Sequence, residues 1–99
     1  MSASNLPAIH PGEILRELYL APLGMSAYGL AKNLRVPRTR IERIVAEKIG
    51  ISTDTALRLA KFFKTTPEFW LNMQSSYDLK VQAPALAAEL SAIPELVAA

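Results

Sequence analysis

The sequence contains no cysteine, one histidine and no long hydrophobic run, and these absences exclude several classes of function. Without cysteine, the chain cannot form a disulfide, a thiolate metal site or a thiol nucleophile. The single histidine, His10, has no nucleophile or carboxylate partner suggested by the sequence, which favours a capping or packing role over a catalytic one. No apolar stretch approaches the roughly 20 residues of a membrane span. Residues 1–9 also lack the basic and apolar regions of a signal peptide.

The sequence also lacks internal repeats, a glycine-rich phosphate loop and any His/Asp/Glu spacing typical of a metal site. Glu13 and Glu17 lie four residues apart on a predicted helix, but nothing complements them as a catalytic pair, so we interpret them as a solvated edge. We therefore expect a protein that is not an enzyme, binds no metal or cofactor, has no membrane contact and acts in the cytoplasm.

Charge is distributed unevenly along the 99 residues, which suit a single small domain. Residues 1–64 hold ten Lys or Arg and five Asp or Glu, whereas residues 65–99 hold Lys80 against four acidic residues. Six of the eleven basic residues lie between Lys32 and Lys48. This pattern indicates one face for a polyanion and a different face for another partner.

The segment from Ser26 to Val45 predicts a helix-turn-helix unit. Its apolar residues form two stripes with the helical period, Leu30, Ala31 and Leu34 and then Ile41, Ile44 and Val45. Pro37 can stand at or just before the first turn of the second helix, where a missing N–H is not needed. The small Ala31 lets the two helices approach closely, and the second helix is predicted from Arg38 to about Ala46.

The outward face of that second helix carries the functional prediction. With the apolar stripe turned inward, Thr39 and Arg43 point outward and are flanked by Arg38 and Arg40. A recognition helix places its N-terminal residues in the major groove, where Arg is the usual bidentate partner of guanine. The alternative is a solvated basic face on an ordinary helical bundle, but the tight turn and the arginines together favour contacts with DNA bases.

Phosphate contacts are expected beside this helix. Ser26 is a good N-cap, and the amides at Ser26, Ala27 and Tyr28 would face a phosphate with the helix dipole behind them. Tyr28 could donate to a phosphate or simply cover the surface. Lys48, in the loop after the second helix, should lie beside the DNA backbone.

Three further helices complete the predicted all-α fold, and their starts are marked by caps. We expect a first helix from His10 and Pro11 to near Leu20, a fourth from Ser52, and a fifth from Thr66 to about Lys80. The aromatic stripe of the fifth helix indicates core or, in part, a dimer interface, and consists of Phe69, Trp70, Met73 and Tyr77. Pro84 should restart the chain into a short tail helix. The predicted divisions are a flexible N-terminus over 1–8, a DNA-binding domain over 9–82 and a helical tail over 83–99.

Several segments of the sequence resemble those of a known family. The segments IHPGEILRE, SAYGLAKNLRVPRTRI, GISTDTALRLAKFF and TTPEFWLNMQ, followed by YDL, are similar to the HigA bacterial antitoxins of the XRE/Cro helix-turn-helix class. The resemblance runs from about Ile9 to Leu79. It implies a five-helix, lambda-repressor-like domain with a C-terminal helical extension. It also implies a homodimer that represses its own operon at an inverted-repeat operator and neutralises a HigB-like toxin, an mRNA endonuclease.

The resemblance implies base contacts at Arg38, Thr39 and Arg43 with Arg40 beside them, and phosphate contacts at Ser26 to Tyr28 and at Lys48. One position departs from the family pattern, because the turn residue that is commonly glycine is Arg35 here. We expect Arg35 to adopt a left-handed conformation at a cost of roughly 1 kcal/mol. Its side chain would then project beside the second helix and reach a phosphate.

Three functions stay open from the sequence: an antitoxin that is also an autorepressor, a stand-alone repressor of the same fold, and a protein-binding adaptor without DNA contact. The arginine set argues against the adaptor. A toxin bound on the acidic, C-terminal side would leave the basic face free for DNA.

Overall fold

The structure is a computed structural model that describes residues 6–97. This part of the chain is built from helices, and no strand occurs in it. The elements are α1 over residues 11–23, α2 Ala27–Leu34, α3 Arg38–Val45, α4 Thr53–Phe63, α5 Pro67–Ala85 and α6 Ala87–Ala92. The predicted class, a five-helix domain with a helical C-terminal extension, is confirmed. Of the N-terminal segment predicted to be flexible, residues 1–5 lie outside the described residues, and residues 6–8 are not helical.

Four helix starts have the predicted side-chain caps. The His10 Nδ1 atom accepts from the Gly12 amide at 2.8 Å, and the three hydroxyl caps accept from the amide three residues onward. These bonds satisfy N–H groups that have no partner inside the helix. The hydroxyl caps are Ser26 at 2.9 Å, Ser52 at 3.3 Å and Thr66 at 3.1 Å.

The end of α1 differs from the prediction, which placed it near Leu20. The helix continues to Leu23 and ends at Gly24, whose φ of 61° is left-handed. Its central part, Leu15–Leu20, is π-helical, and the Ala21 amide donates to the Arg16 carbonyl five residues earlier. Pro22 has no N–H and, in α-helical geometry, its ring would clash with the carbonyl four residues before it. The wider turn that precedes Pro22 therefore allows the helix to pass through it.

The core lies where α1, α4 and α5 meet the helix-turn-helix unit. Its largest fully enclosed side chains are Trp70, Leu15, Leu30, Ile41, Ile44 and Leu59. Burying each such side chain contributes about 1.5–3 kcal/mol. The Trp70 Nε1 atom donates to the Thr65 hydroxyl at 2.8 Å, so the indole is satisfied inside the core. Trp70 has no exposed surface and offers none to a partner, which corrects its prediction as an interface residue.

The C-terminal end also corrects the prediction of a helix end near Lys80 and a restart at Pro84. Helix α5 continues to Ala85, and the predicted domain boundary between residues 82 and 83 falls inside it. Pro84 stands in the last turn, where its missing N–H removes only one hydrogen bond before the helix ends. Residues 81–97 are exposed throughout, so the helical end projects from the domain. With this end included, the structure measures 56 × 28 × 22 Å along its principal axes.

Candidate nucleic-acid interface

The turn between α2 and α3 has the predicted left-handed residue. Arg35 adopts φ 62° and ψ 45° at the C-terminus of α2. The Val36 amide then donates to the Ala31 carbonyl at 3.1 Å, which satisfies a carbonyl that the helix leaves free. The buried face of α2 consists of Leu30, Ala31 and Leu34, as the apolar stripe predicted.

Helix α3 is fixed by its inner face and exposes its outer face. Ile41 and Ile44 are completely buried, while Thr39 and Arg43 are exposed on the opposite side. Within residues 6–97, the side chains of Thr39 and Arg43 form no hydrogen bond or ion pair, so their donors are available to an external acceptor. Arg38 is also exposed, and its Nε atom lies 3.7 Å from a carboxylate oxygen of Glu42.

Arg40 does not share this outward orientation. Its guanidinium forms an ion pair with Asp54 at the start of α4, and its Nη1 atom lies 3.5 Å from the Thr55 hydroxyl. Arg58 donates to the same Asp54 oxygen at 2.9 Å and to the Leu34 carbonyl at 2.8 Å. The hydrogen bonds from Arg40, and then from Arg58, hold the pKa of the Asp54 carboxyl below its usual range. The structure therefore groups Arg40 with α4 instead of with the outward-facing side chains of α3.

Contacts from α1 fix the position of α3, and the sequence pattern did not predict them. A Cβ atom on Gly12 would lie 1.8 Å from the Ile44 carbonyl oxygen, so only glycine permits this close approach. Arg16 donates to the Val45 carbonyl at the C-terminus of α3 and to Glu47 at 3.3 Å. The only sequence signal was the dipeptide Pro11-Gly12 at a helix start, which by itself does not identify the partner.

Four of the five predicted phosphate-contact residues lie at exposed positions, and the fifth, Ala27, is half-buried. The Ser26 oxygen accepts from Gly29, which leaves its hydroxyl hydrogen free to donate. The amides of Ala27 and Tyr28 belong to the first turn of α2, where N–H groups have no intrahelical partner, and Tyr28 is 56% exposed. Arg35 and Lys48 are also exposed. These groups offer hydrogen-bond donors and positive charge on either side of α3 in the sequence.

Comparisons with known proteins agree with this arrangement. The helix-turn-helix family model matches residues 15–70. The Pseudomonas aeruginosa antitoxin HigA, solved with the higBA promoter, is 39% identical, with a TM-score of 0.87 over 92% of this chain and 100% of that chain. A HigA-family addiction module antidote protein from Coxiella burnetii is 44% identical, with a TM-score of 0.85 and the same coverage.

The chain belongs to the HigA family of helix-turn-helix proteins. This confirms the resemblance found in the sequence. Virulence-associated protein I of Dichelobacter nodosus is also similar, with 58% identity over 79% of this chain and 72% of its own length.

The other predicted dimer-interface residues of this HigA-family chain are only partly exposed. Phe69 is 38% exposed, while Met73 and Tyr77 are half-buried beside Ile9 and line a shallow apolar depression. Other large apolar side chains are exposed further along the chain, on α5 and α6 and directly after each of these helices. They include Leu79 at 68%, Val81 at 46%, Leu86 at 45%, Leu90 at 51% and Ile93 at 61% exposure.

In residues 6–97 of the HigA-family chain, no helix is long and apolar enough to cross a membrane. No group of three or more His, Asp or Glu side chains in the same residues is placed to hold a metal ion.

Proposed function

We propose that this chain is an antitoxin that represses its own operon and neutralises a HigB-like, mRNA-cleaving toxin in the cytoplasm. The observation that carries the DNA-binding part is the orientation of α3. Ile41 and Ile44 on its apolar face are completely buried, and its opposite face presents Thr39 and Arg43 to solvent. The family membership also supports DNA binding, because the structure of the Pseudomonas aeruginosa relative was solved with the higBA promoter.

In this proposal α3 reads base edges and its surroundings bind phosphates. Arg43 would donate to guanine in the major groove, with Thr39 and Arg38 beside it. The first turn of α2 would donate hydrogen bonds to backbone phosphates, and Arg35 and Lys48 would neutralise phosphate charge. Such contacts position a protein on DNA but carry no sequence information. Arg40 is not assigned a base contact, because its guanidinium is bound to Asp54.

We propose that the chain acts as a homodimer formed by the exposed apolar residues of α5 and α6. One recognition helix covers only a few base pairs, so two copies related by a two-fold axis would bind an inverted repeat. Its half-sites would be centred about 34 Å apart or a multiple of that distance. Leu79 and Leu90 support this interface, because each exposes half or more of its surface in the single chain.

The DNA-binding part is tested by comparing two substitutions. Arg43→Ala should weaken operator binding by about 1–3 kcal/mol and relax base preference. Lys48→Ala should weaken binding to every sequence alike and make the salt dependence shallower by about one unit of slope. Fluorescence anisotropy on a duplex from upstream of the gene and on a scrambled duplex measures both effects. If Lys48→Ala altered sequence preference while Arg43→Ala did not, the proposed orientation of α3 would be wrong.

The antitoxin part is tested in cells that express a HigB-like protein with and without this chain. If that protein stops growth alone and this chain restores growth, the toxin partner is supported. A chain truncated after Tyr77 separates the two surfaces, because it removes the projecting end and keeps α3. Retained neutralisation by this truncated chain would show that the toxin does not bind the C-terminal end.

A further inference from the structure

Arg40 and Arg43 are neighbours on α3 but have different environments. Residues three apart on a helix place their Cβ atoms about 5–6 Å from one another, so both lie near the proposed DNA surface. Arg43 is exposed without a side-chain partner in residues 6–97, whereas Arg40 is bound to Asp54. The side chain of Arg40 is 34% exposed, compared with 63% for Arg38 in the same turn.

Asp54 is the group that makes this orientation favourable. The Arg40 guanidinium lies over the N-terminus of α4, beside Thr55 in its first turn. The helix dipole gives this end a partial positive charge, which disfavours a cation. Asp54, also in the first turn of α4, reverses the local potential and accepts hydrogen bonds from both Arg40 and Arg58.

Arg58 has a second anchor that Arg40 lacks. Its Nη1 atom donates to the Leu34 carbonyl at 2.8 Å and lies 3.5 Å from the Arg35 carbonyl. Loss of the Asp54 charge would therefore leave Arg58 bonded to the turn between α2 and α3. Arg40 would keep only its long contact with Thr55 and would be free to rotate toward Arg43 and the DNA.

We propose that Asp54 is a positioning residue that holds Arg40 away from DNA and so limits the sequence-independent part of DNA affinity. This inference rests on the proposed DNA binding by α3. The logarithm of the affinity falls linearly with the logarithm of the salt concentration. Each phosphate neutralised by Lys or Arg makes this fall steeper by about 0.9, whatever the base sequence. An arginine kept on Asp54 adds nothing to that slope, so base contacts by Arg43 contribute a larger share of operator binding.

The test compares the chain with Asp54→Asn, Arg40→Ala and the double variant, all confirmed as folded by circular dichroism. Affinities for an upstream duplex and a scrambled duplex of equal length are measured over a series of potassium chloride concentrations. Asp54→Asn should bind both duplexes about two- to fivefold more tightly, which is the range of one exposed ion pair. Its salt slope should steepen by about 0.9. Asp54→Glu keeps the carboxylate and should leave the slope unchanged.

The double variant decides whether the released Arg40 is the cause. Arg40→Ala alone should leave the slope unchanged, and Asp54→Asn in that background should no longer steepen it. A gain that persists in the double variant would show a general effect of removing one negative charge and would overturn the inference. Weaker binding by Asp54→Asn would also overturn it. If the unsubstituted chain bound neither duplex, the proposed DNA-binding function itself would fail.

Discussion

The helical domain up to Tyr77 and the segment from Asp78 to Val97 differ in how they use apolar side chains. In the domain, the buried apolar residues extend from Leu15 to Trp70, and contacts between helices fix their arrangement. In the second segment, every residue from 81 onward is exposed, including several large apolar ones. The first region is therefore folded by contacts within the chain. The second is helical only as far as Ala92, and its large apolar side chains are exposed in the single chain.

The largest expected effect tests this contrast directly. Trp70→Ala should lower the free energy of unfolding by about 3–5 kcal/mol, because it empties a fully enclosed site. Leu90→Ala should change it by no more than about 0.5 kcal/mol in the monomer, because that side chain is half exposed. Urea unfolding at a protein concentration that keeps the chain monomeric measures both. A comparable loss for Leu90→Ala would show that the C-terminal segment is part of the core.

A second substitution sharpens the contrast at the recognition helix. Gly12→Ala should destabilise the domain by about 1–3 kcal/mol, because the new methyl group would meet the Ile44 carbonyl. Gly29→Ala is the matched control. Its Cβ would lie 3.3 Å from the Ser26 hydroxyl, and alanine is the better helix former by roughly 0.5–1 kcal/mol. In thermal unfolding, Gly12→Ala should therefore have a lower melting temperature than Gly29→Ala. Equal melting temperatures would contradict the close approach of α1 to α3.

The left-handed turn gives a smaller and opposite effect. Arg35→Gly relieves a strain of about 1 kcal/mol and makes the unfolded chain looser by somewhat less. Stability should therefore rise slightly or stay level, while DNA binding should weaken for all sequences if Arg35 contacts a phosphate. A calorimetric melting temperature several degrees below that of the unsubstituted chain would show that Arg35 has a stabilising role of its own.

The smallest effect concerns pH and the exposed ion pairs around Asp54. Arg40 and Arg58 lower the pKa of this carboxyl in the folded chain, so its contribution to stability is present above the unfolded value of about 3.9. The contribution is lost as pH falls through the folded pKa. Melting temperatures of the chain and of Asp54→Asn should therefore differ slightly at neutral pH and converge in acid. A difference that grows on acidification would contradict the lowered pKa.

Sequence reasoning succeeded where the determining contacts are local. The caps at His10, Ser26, Ser52 and Thr66 each depend on residues two or three positions away. The buried faces of α2 and α3 follow from helical periodicity alone. The left-handed Arg35 followed from the family resemblance, since no local preference of arginine predicts it.

The errors arose where distant residues decide. Arg40 was predicted to face bases, but its partner Asp54 lies fourteen residues further along the chain. Trp70 was predicted as a possible interface residue because periodicity cannot distinguish a central aromatic side chain from one at the edge of the core. The first helix was predicted to end near Leu20, and Pro84 was predicted to restart the chain. Each helix instead continues past a proline, through a π-helical turn before Pro22 and because Pro84 stands in the last turn, and neither arrangement can be read from the proline alone.

The outward-facing side chains of α3 take no part in the contacts that hold this helix in the domain, and this bears on how operator preference can evolve. Substitutions at Thr39 and Arg43 remove no hydrogen bond or ion pair found in residues 6–97, and both positions are solvent-exposed. Gly12 and Arg16 contact backbone carbonyls of α3, and these contacts do not depend on which side chains face outward. Under the proposed mode of DNA binding, duplicated copies of such a gene can therefore diverge toward different operators through single substitutions that leave the scaffold intact.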